Sequence, residues 1–327
     1  MEKERALKIF RTMNRIRDFE NRAYQLFCEN KLHGSVHLYI GEEAVAATVC
    51  SRLSDEDYIA STHRGHGHCI AKGASADRAM AELMGRDTGY CRGHSGSMHI
   101  ADLTQGNLGA NAIVGAGVPI AVGAALALKM KGKRHVAVAF FGDGASNQGA
   151  VHEAMNLASV WKLPIIFVVE NNGFAITVPV SQSTSVEDIS VRGAAYHMPG
   201  VTVDGNDVLA IDEAFSKAQA RALAGEGPSL IECKTCRWAG HWTGDPEVYR
   251  TKADVEYWKV NKDPIRNFGK YLVDNGIAEQ AELDQIRKEE SDGIEAAVTF
   301  AMNSPQPDPA HVLDDVFYDE CEGGHHE

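Results

Sequence analysis

The feature that most constrains the fold is an alternation of short apolar runs with helix-like segments between residues 117 and 236. The apolar runs are predicted strands at 135–141, 164–170, 201–203 and 229–236. The intervening predicted helices are 117–131, 148–161, 186–196 and 207–224. Strands that are apolar on both faces and joined through helices belong to buried parallel sheets. We therefore predict an α/β fold with a doubly wound parallel sheet and flanking helices.

Polar residues follow two neighbouring predicted strands at the point where each strand ends. Gly142-Asp143-Gly144 follows the first strand, and Asn171-Asn172, separated from it by 26 intervening residues, follows the second. The carboxyl ends of parallel strands are where such sheets bind ligands. A carboxylate and an amide oxygen suit Mg²⁺, and the free N–H groups of the helix opening at Ala145 suit a phosphate. Taken singly, each motif would read as an ordinary turn; their combination favours a Mg²⁺-diphosphate site.

Composition excludes several classes of function. The 327 residues carry 32 Lys and Arg against 45 Asp and Glu, a net charge of −13, which argues against a nucleic-acid partner and against broad binding to anionic lipid. We find no apolar run of the roughly 18 residues that a membrane helix needs. Seven cysteines, an odd number, do not resemble a disulfide framework, so a reducing, cytoplasmic location is expected.

We expect three regions along the chain. An amphipathic helix over 2–30 makes residues 1–34 an N-terminal helical extension, and 35–250 form the α/β ligand-binding domain. Residues 251–327 are a C-terminal helical region with an acidic tail. Short helices are predicted at 42–53 and 75–84, and 237–253 is a long polar loop, which we expect to be a mobile lid ordered by ligand.

The paired GDG and NN motifs resemble the thiamin diphosphate motif of the transketolase and 2-oxo acid dehydrogenase superfamily. Further motifs resemble the α subunit of the decarboxylating component of the 2-oxo acid dehydrogenases, in the same order along the chain. They are HLYIGEEA (37–44), HRGHG (63–67), GSMHIAD (96–102), IVGAGVP (113–119), FGDGASNQG (141–149), ENNGFA (170–175) and GHWTGDP (240–246). The stretches STHRGHGHCIAKG and ENNGFAITVP are most similar to acetoin dehydrogenase α subunits.

The resemblance implies a set of site residues. Asp143 and Asn172 would bind Mg²⁺ through their side chains, and Phe174 through its backbone carbonyl. Residues implied to bind thiamin diphosphate are His63, Arg64, Ala112, Val114, Asp143, Gly144, Ala145, Asn172 and His241. His37 and His241 correspond to two catalytic histidines. His63 and Phe174 stand where pyruvate-type enzymes usually have Tyr.

The resemblance also implies an activity and partners. The expected enzyme is a thiamin diphosphate-dependent oxidoreductase that cleaves a carbon–carbon bond next to a carbonyl and passes the two-carbon acyl unit to an electron acceptor or lipoyl partner. Acetoin is the first candidate substrate; pyruvate or a branched-chain 2-oxo acid is the alternative. A β subunit would supply the activating glutamate within an α₂β₂ heterotetramer, and a lipoyl-bearing acyltransferase would take the product. A non-catalytic Mg²⁺-diphosphate-binding protein is a third possibility, against which the retained site residues argue.

Two other patterns have simpler explanations. His63, His66, His68 and Cys69 do not match a standard zinc-ligand spacing, so phosphate contact and packing are favoured. Cys233 and Cys236 form a C-x-x-C pair inside an apolar strand, whereas redox pairs of this kind stand at helix starts. We therefore interpret them as structural thiols.

Overall fold

The computed structural model describes residues 1–32 and 34–314 and contains a five-stranded parallel sheet. Its strands are β1 (Tyr58–Ala60), β2 (Ala137–Gly142), β3 (Ile165–Asn171), β6 (Gly200–Asp204) and β7 (Ser229–Lys234). The order across the sheet is β1-β2-β3-β7-β6. A small antiparallel pair, β4 (Phe174–Ala175) and β5 (Val178–Pro179), follows β3. Because β2 and β3 are neighbours, with Gly142 opposite Glu170, their carboxyl ends lie side by side.

Helices surround this sheet. They are α1 (Lys3–Cys28), α2 (Glu43–Cys50), α3 (His66–Ala71), α4 (Ala76–Leu83), α5 (Gly117–Met130), α6 (Gly149–Val160), α7 (Val180–Ser183), α8 (Val208–Leu223), α9 (Lys252–Asn261), α10 (Pro264–Asp274) and α11 (Gln280–Asn303). The described part of the chain also contains five 3₁₀ segments, Gly96–Met98, Leu103–Gln105, Ala145–Asn147, Ile189–Tyr196 and Pro309–His311. None of the helices in the described residues has the length and apolar character needed to cross a membrane.

Both faces of the sheet are buried, as the apolar strands predict. On β2, Val138 and Phe140 join a core with α1, α2, α8 and α10, whereas Ala137, Ala139 and Phe141 join a core with α5 and α6. Alternate residues of a strand point to opposite faces, so a strand covered on both sides must be apolar throughout. The prediction of an α/β fold with a parallel sheet flanked by helices is confirmed.

Local predictions differ from the structure in several places. The edge strand β1 was not predicted, because three residues are too few to show a strand periodicity. The helix predicted at 186–196 is a 3₁₀ helix over Ile189–Tyr196. The predicted helices at 42–53 and 75–84 are present as α2 and α4, each shorter by a few residues.

The first and last long helices pack together. Ile16, Phe19 and Leu26 of α1 share a buried cluster with Ile294 and Val298 of α11. The same α1 helix also contributes to the core beneath the sheet. The division into regions 1–34, 35–250 and 251–327 stays a prediction, and the acidic tail beyond residue 314 lies outside the described residues.

Candidate functional site

A cavity of about 480 Å³ opens at the carboxyl ends of β2 and β3. Every site residue predicted from the sequence lines it. These residues are His37, His63, Arg64, Ala112, Val114, Asp143, Gly144, Ala145, Asn172, Phe174 and His241. They come from six separate segments of the chain, so the fold brings together residues that are up to about 200 positions apart in the sequence.

Asp143 follows directly after β2 and is buried. Its Oδ2 atom has no hydrogen-bond partner within the described part of the chain. Burial raises the pKa of this carboxyl group to about 6, although nearby backbone N–H groups and Arg237 lower it. A buried carboxylate oxygen without a donor is costly unless a cation pairs with it. This oxygen therefore fits a role as a metal ligand.

Glycine is required beside that carboxylate. A Cβ atom on Gly144 would lie 2.7 Å from the Cβ atom of Ala175, closer than side-chain atoms approach. The absence of a side chain lets the turn after β2 pass against the β4 segment. Backbone at this turn is thereby kept close to the cavity, where it suits contact with an anionic ligand.

The two asparagines that end β3 point to different surroundings. Asn171 is buried and its Nδ2 donates to Glu232 Oε1 at 2.7 Å, away from the cavity lining. Asn172 lines the cavity; its Nδ2 lies 3.3 Å from Glu42 Oε1, and its Oδ1 accepts from the N–H of Phe174 at 3.4 Å. Only Asn172 of the pair, together with Phe174, is thus available to a ligand beside Asp143.

Two buried arginines give the cavity a positive wall. The Arg64 guanidinium donates to the carbonyls of Leu38 and His241, at 2.5 and 3.0 Å. Burial and the neighbouring Arg237 lower the Arg64 pKa to about 10, so it remains charged at neutral pH. Arg237 also lines the cavity and its Nε has no partner among residues 1–32 and 34–314. Arg237 begins the polar loop predicted at 237–253 and was not among the predicted cofactor-binding residues.

Three histidine rings face one another in the cavity. The ring centroids of His37 and His63 are 4.9 Å apart, those of His37 and His241 are 5.0 Å apart, and those of His63 and His241 are 5.4 Å apart. Burial, reinforced by the charge of Arg64, lowers the pKa of His37 to about 3, of His241 to about 4, and of His63 well below its ordinary value. All three imidazoles are neutral near pH 7.

Two buried glutamates were missed by the sequence analysis. Glu42 accepts from the Thr235 hydroxyl at 2.9 Å, and burial together with the charge of Glu170 raises its pKa to about 7. Glu170 accepts from the Tyr39 hydroxyl and lies 3.0 Å from His68 Nε2. Glu42 and Glu170 stood within the quoted HLYIGEEA and ENNGFA motifs, but only the fold shows that both line the cavity.

His66, His68, Cys233 and Cys236 behave as the simpler interpretation predicts. His66 Nδ1 lies 3.1 Å from the Glu20 carboxylate, whereas His68 Nδ1 contacts Ser61 Oγ at 2.9 Å, so they do not converge on one centre. Cys233 lies in β7, and both Cys233 and Cys236 are buried free thiols. Burial raises the pKa of each thiol, which makes them unreactive.

The loop over 235–251 is held by more contacts than its polar composition predicts. Asp245 accepts from the His241 N–H at 2.6 Å, the Glu247 N–H at 2.9 Å and the Tyr249 hydroxyl at 2.7 Å. Arg250 donates to backbone carbonyls earlier in the same loop. These bonds fix the segment that carries His241 into the cavity.

Known proteins resemble this chain over nearly its full length. Residues 11–310 match the family described as "Dehydrogenase E1 component". The α subunit of an acetoin:2,6-dichlorophenolindophenol oxidoreductase from Bacillus subtilis is 50% identical over 321 residues, 98% of this chain and 96% of its own length. The corresponding subunit from Cupriavidus necator is 48% identical, covering 97% and 95% of the two chains. The chloroplastic pyruvate dehydrogenase E1 component subunit alpha-3 of Arabidopsis thaliana is 43% identical, covering 97% and 75%. With a matching family over most of its length and relatives of this similarity, the chain belongs to the dehydrogenase E1 component family.

Proposed function

We propose that this chain is the α subunit of a thiamin diphosphate-dependent acetoin dehydrogenase. The observation that carries the proposal is the convergence of Asp143, Asn172 and Arg64 with neutral histidines in one cavity. The acetoin:2,6-dichlorophenolindophenol oxidoreductase α subunits from Bacillus subtilis and Cupriavidus necator are 50% and 48% identical to this chain, whereas the Arabidopsis thaliana pyruvate dehydrogenase subunit is 43% identical. Pyruvate and branched-chain 2-oxo acids are the alternative substrates.

The residues around the cavity fit a magnesium diphosphate. The unpaired Asp143 Oδ2, the Asn172 side chain and the Phe174 carbonyl are hard oxygen ligands of the kind Mg²⁺ prefers. Arg64 and Arg237 would offset the charge of a diphosphate, and His63 and His241, which line the same cavity, would offer ring nitrogens to it. The other predicted cofactor-binding residues carry no charge and would contact the cofactor through their backbone groups; they are Ala112, Val114, Gly144 and Ala145. When bound, thiamin diphosphate supplies a nucleophilic carbon for attack on a carbonyl.

The protein's own contribution to acetoin cleavage is a base and an enclosed site. Acetoin carries a hydroxyl whose proton must leave as the carbon–carbon bond breaks, and a neutral imidazole accepts it. His37 and His241 are neutral and line the cavity, so each offers a ring nitrogen for this step. A bound diphosphate would counter the charge of Arg64 and raise both pKa values toward the range of an effective base.

We infer that a β subunit completes the site. Ile113, Val114 and Ile176 line the cavity yet are exposed by 72%, 44% and 57%, and Ile120 of α5 is exposed nearby in the sequence. Large apolar side chains around a cavity mouth are typical of a surface covered by another protein. The β subunit would provide the activating glutamate within an α₂β₂ heterotetramer, and a lipoyl-bearing acyltransferase would receive the acyl unit.

The test is co-expression of this chain with its β subunit, followed by assays of acetoin and of 2-oxo acids with dichlorophenolindophenol as acceptor. We expect acetoin to reduce the dye and release acetaldehyde, with little carbon dioxide from pyruvate. The matched control is the Asp143→Asn assembly, which keeps the shape of the side chain but removes its charge. Faster turnover of pyruvate than of acetoin would favour the alternative substrate instead.

A further inference from the structure

The three cavity histidines form a cluster of nitrogen ligands, whereas the groups around Asp143 offer oxygen ligands. His37 precedes α2, His63 lies between β1 and α3, and His241 lies in the loop after β7. One ring nitrogen from each lies within 4.8 Å of the other two. His37 Nδ1 is buried and finds no hydrogen-bond partner within the described residues. Three imidazoles from separate segments thus point into one volume, and one of them has an unsatisfied nitrogen.

The spacing of the rings matches that of a metal centre. Three imidazoles around a tetrahedral zinc ion, with Zn–N bonds of about 2 Å, have centroids roughly 5 Å apart. The observed separations are 4.9, 5.0 and 5.4 Å. The ligand nitrogens, which lie within 4.8 Å of one another, would have to close to about 3.4 Å on binding the metal.

Charge and protonation decide which cation suits the cluster. The neutral imidazoles need lose no proton to bind a metal. Arg64 and Arg237 oppose a cation, whereas Asp143, Glu42 and Glu170 in the same lining offset them. Arg237 Nη1 approaches His241 Nδ1 at 3.4 Å, a longer contact than its 2.9 Å bonds to the Ile176 carbonyl and the Tyr249 hydroxyl. Among the described residues, this contact to His241 is the weakest of the three that Arg237 makes here.

We propose that His37, His63 and His241 bind a divalent transition metal such as Zn²⁺ through three imidazole nitrogens, with the fourth position open to solvent. Imidazole selects Zn²⁺, Co²⁺ or Ni²⁺ over Mg²⁺, so this site is chemically distinct from the oxygen ligands of Asp143 and Asn172. Binding itself requires neither thiamin diphosphate nor a β subunit. Its consequence for activity, inhibition by Zn²⁺ through capture of His63 and His241, rests on the proposed function.

The experiment is a titration of the chain with Co²⁺ in the absence of Mg²⁺ and thiamin diphosphate. The protein carries no affinity tag, and the adjacent His325 and His326 are replaced by Gln because they could bind metal themselves. We expect one Co²⁺ per chain with the intense visible bands of tetrahedral coordination. His37→Ala, His63→Ala and His241→Ala should each weaken binding at least about 10-fold. His94→Ala, which removes an exposed histidine, should not.

A second measurement keeps the proposal testable if a variant fails to fold. X-ray absorption of the Zn²⁺-loaded chain, changed only by the replacement of His325 and His326 with Gln, should show four nitrogen or oxygen ligands at about 2.0 Å together with the outer-shell scattering of three imidazole rings. A six-coordinate oxygen shell, no metal uptake, or Co²⁺ affinity unchanged by the three substitutions would overturn the proposal. None of these outcomes depends on turnover, so they separate this site from the proposed enzyme activity.

Discussion

At the scale of single residues, Asp143 is stabilised less by its protein neighbours than a buried carboxylate usually is. One of its oxygens has no donor among the described residues, and burial raises its pKa to about 6. Removing one partner of a buried charge is destabilising, and a cation is the partner that fits here. Ligand-free protein therefore carries an energetic cost at Asp143 that ligand binding relieves.

We expect Asp143→Ala to weaken binding of Mg²⁺ and thiamin diphosphate by more than about 100-fold, roughly 3 kcal/mol, while leaving the fold intact. Because the unpaired carboxylate is gone, the ligand-free variant should be as stable as the parent or more so. Calorimetric titration measures the first effect and urea unfolding the second. Unchanged cofactor affinity would show that Asp143 is not a metal ligand.

Gly144 permits the close approach of the turn after β2 to the β4 segment. A methyl group at this position would clash with Ala175. Gly144→Ala should destabilise the chain by about 1–3 kcal/mol and push the β4 segment away from the cavity. Gly149→Ala is the control, because its added Cβ atom would meet Glu153 Oε1 at 4.0 Å, an ordinary contact. Thermal unfolding of both variants compares them directly; equal melting temperatures would contradict the prediction.

At the scale of elements, the loop over 235–251 is organised around a single carboxylate. Asp245 accepts three hydrogen bonds within the loop, and the capping box formed by Thr251 and Asp254 fixes where α9 begins after it. The loop also donates to the body of the protein, from the Thr243 N–H to the Val36 carbonyl at 3.0 Å. The position of His241 therefore depends on the hydrogen bonds within the loop and on the contact between the loop and Val36.

Asp245→Ala should release this loop, because three donors lose their acceptor together. We expect faster proteolytic cleavage within 237–251 and weaker cofactor binding, with the melting temperature of the core little changed. Val248→Ala, in the same loop at an 88% exposed position, serves as the control and should cleave like the parent. Adding Mg²⁺ and thiamin diphosphate to the αβ assembly should suppress cleavage of the parent. Equal cleavage with and without them would show that cofactor binding does not order the loop that carries His241.

At the scale of the whole molecule, Asp212 joins three parts of the chain. Its carboxylate accepts from Arg5 of α1 and from Arg52 just after α2, while Asp212 itself lies in α8. Burial acts to raise the pKa of Asp212, but the hydrogen bonds from Arg5 and Arg52 outweigh it and lower the pKa to about 2. The N-terminal helix is thereby tied to the helix that covers the sheet.

The lowered pKa of Asp212 predicts how the stability of the fold depends on pH. The folded-state pKa lies below the ordinary value of 3.8, so the stabilisation is complete above about pH 4 and is lost as the pH falls toward 2. Asp212→Asn should lower stability at pH 7 and flatten the decline between pH 4 and 2. Glu213→Gln, at an exposed carboxylate on the same helix, should have little effect at either pH. Urea unfolding across this range tests both variants, and parallel curves for Asp212→Asn and the parent would refute the role.

The sheet, Asp143 and Asn172 were predictable because their signals are local, whereas the other predicted cavity residues were implied by the resemblance to the α subunits. Apolar runs identify β2 and β3, and a polar residue directly after a parallel strand has only one edge of the sheet at which to lie. Glu42, Glu170 and Arg237 were not placed in the cavity, because their roles depend on partners far away in the sequence. Thr235 bonds Glu42 across 193 positions, and Tyr39 bonds Glu170 across 131. The strand β1, with three residues, is too short to show a strand periodicity in the sequence.

The parallel packing of α1 on α11 has a consequence for the time course of synthesis. Lys3 pairs with Glu282 and Arg11 with Glu290, so the first helix meets its partner only when the last long helix exists. At about 5–20 residues per second, translation reaches that helix some 15–60 seconds after the first one has emerged. Throughout that interval the apolar face of α1 that includes Ile16 and Phe19 lacks its α11 cover, and the nascent chain depends on chaperones or on provisional contacts to remain soluble.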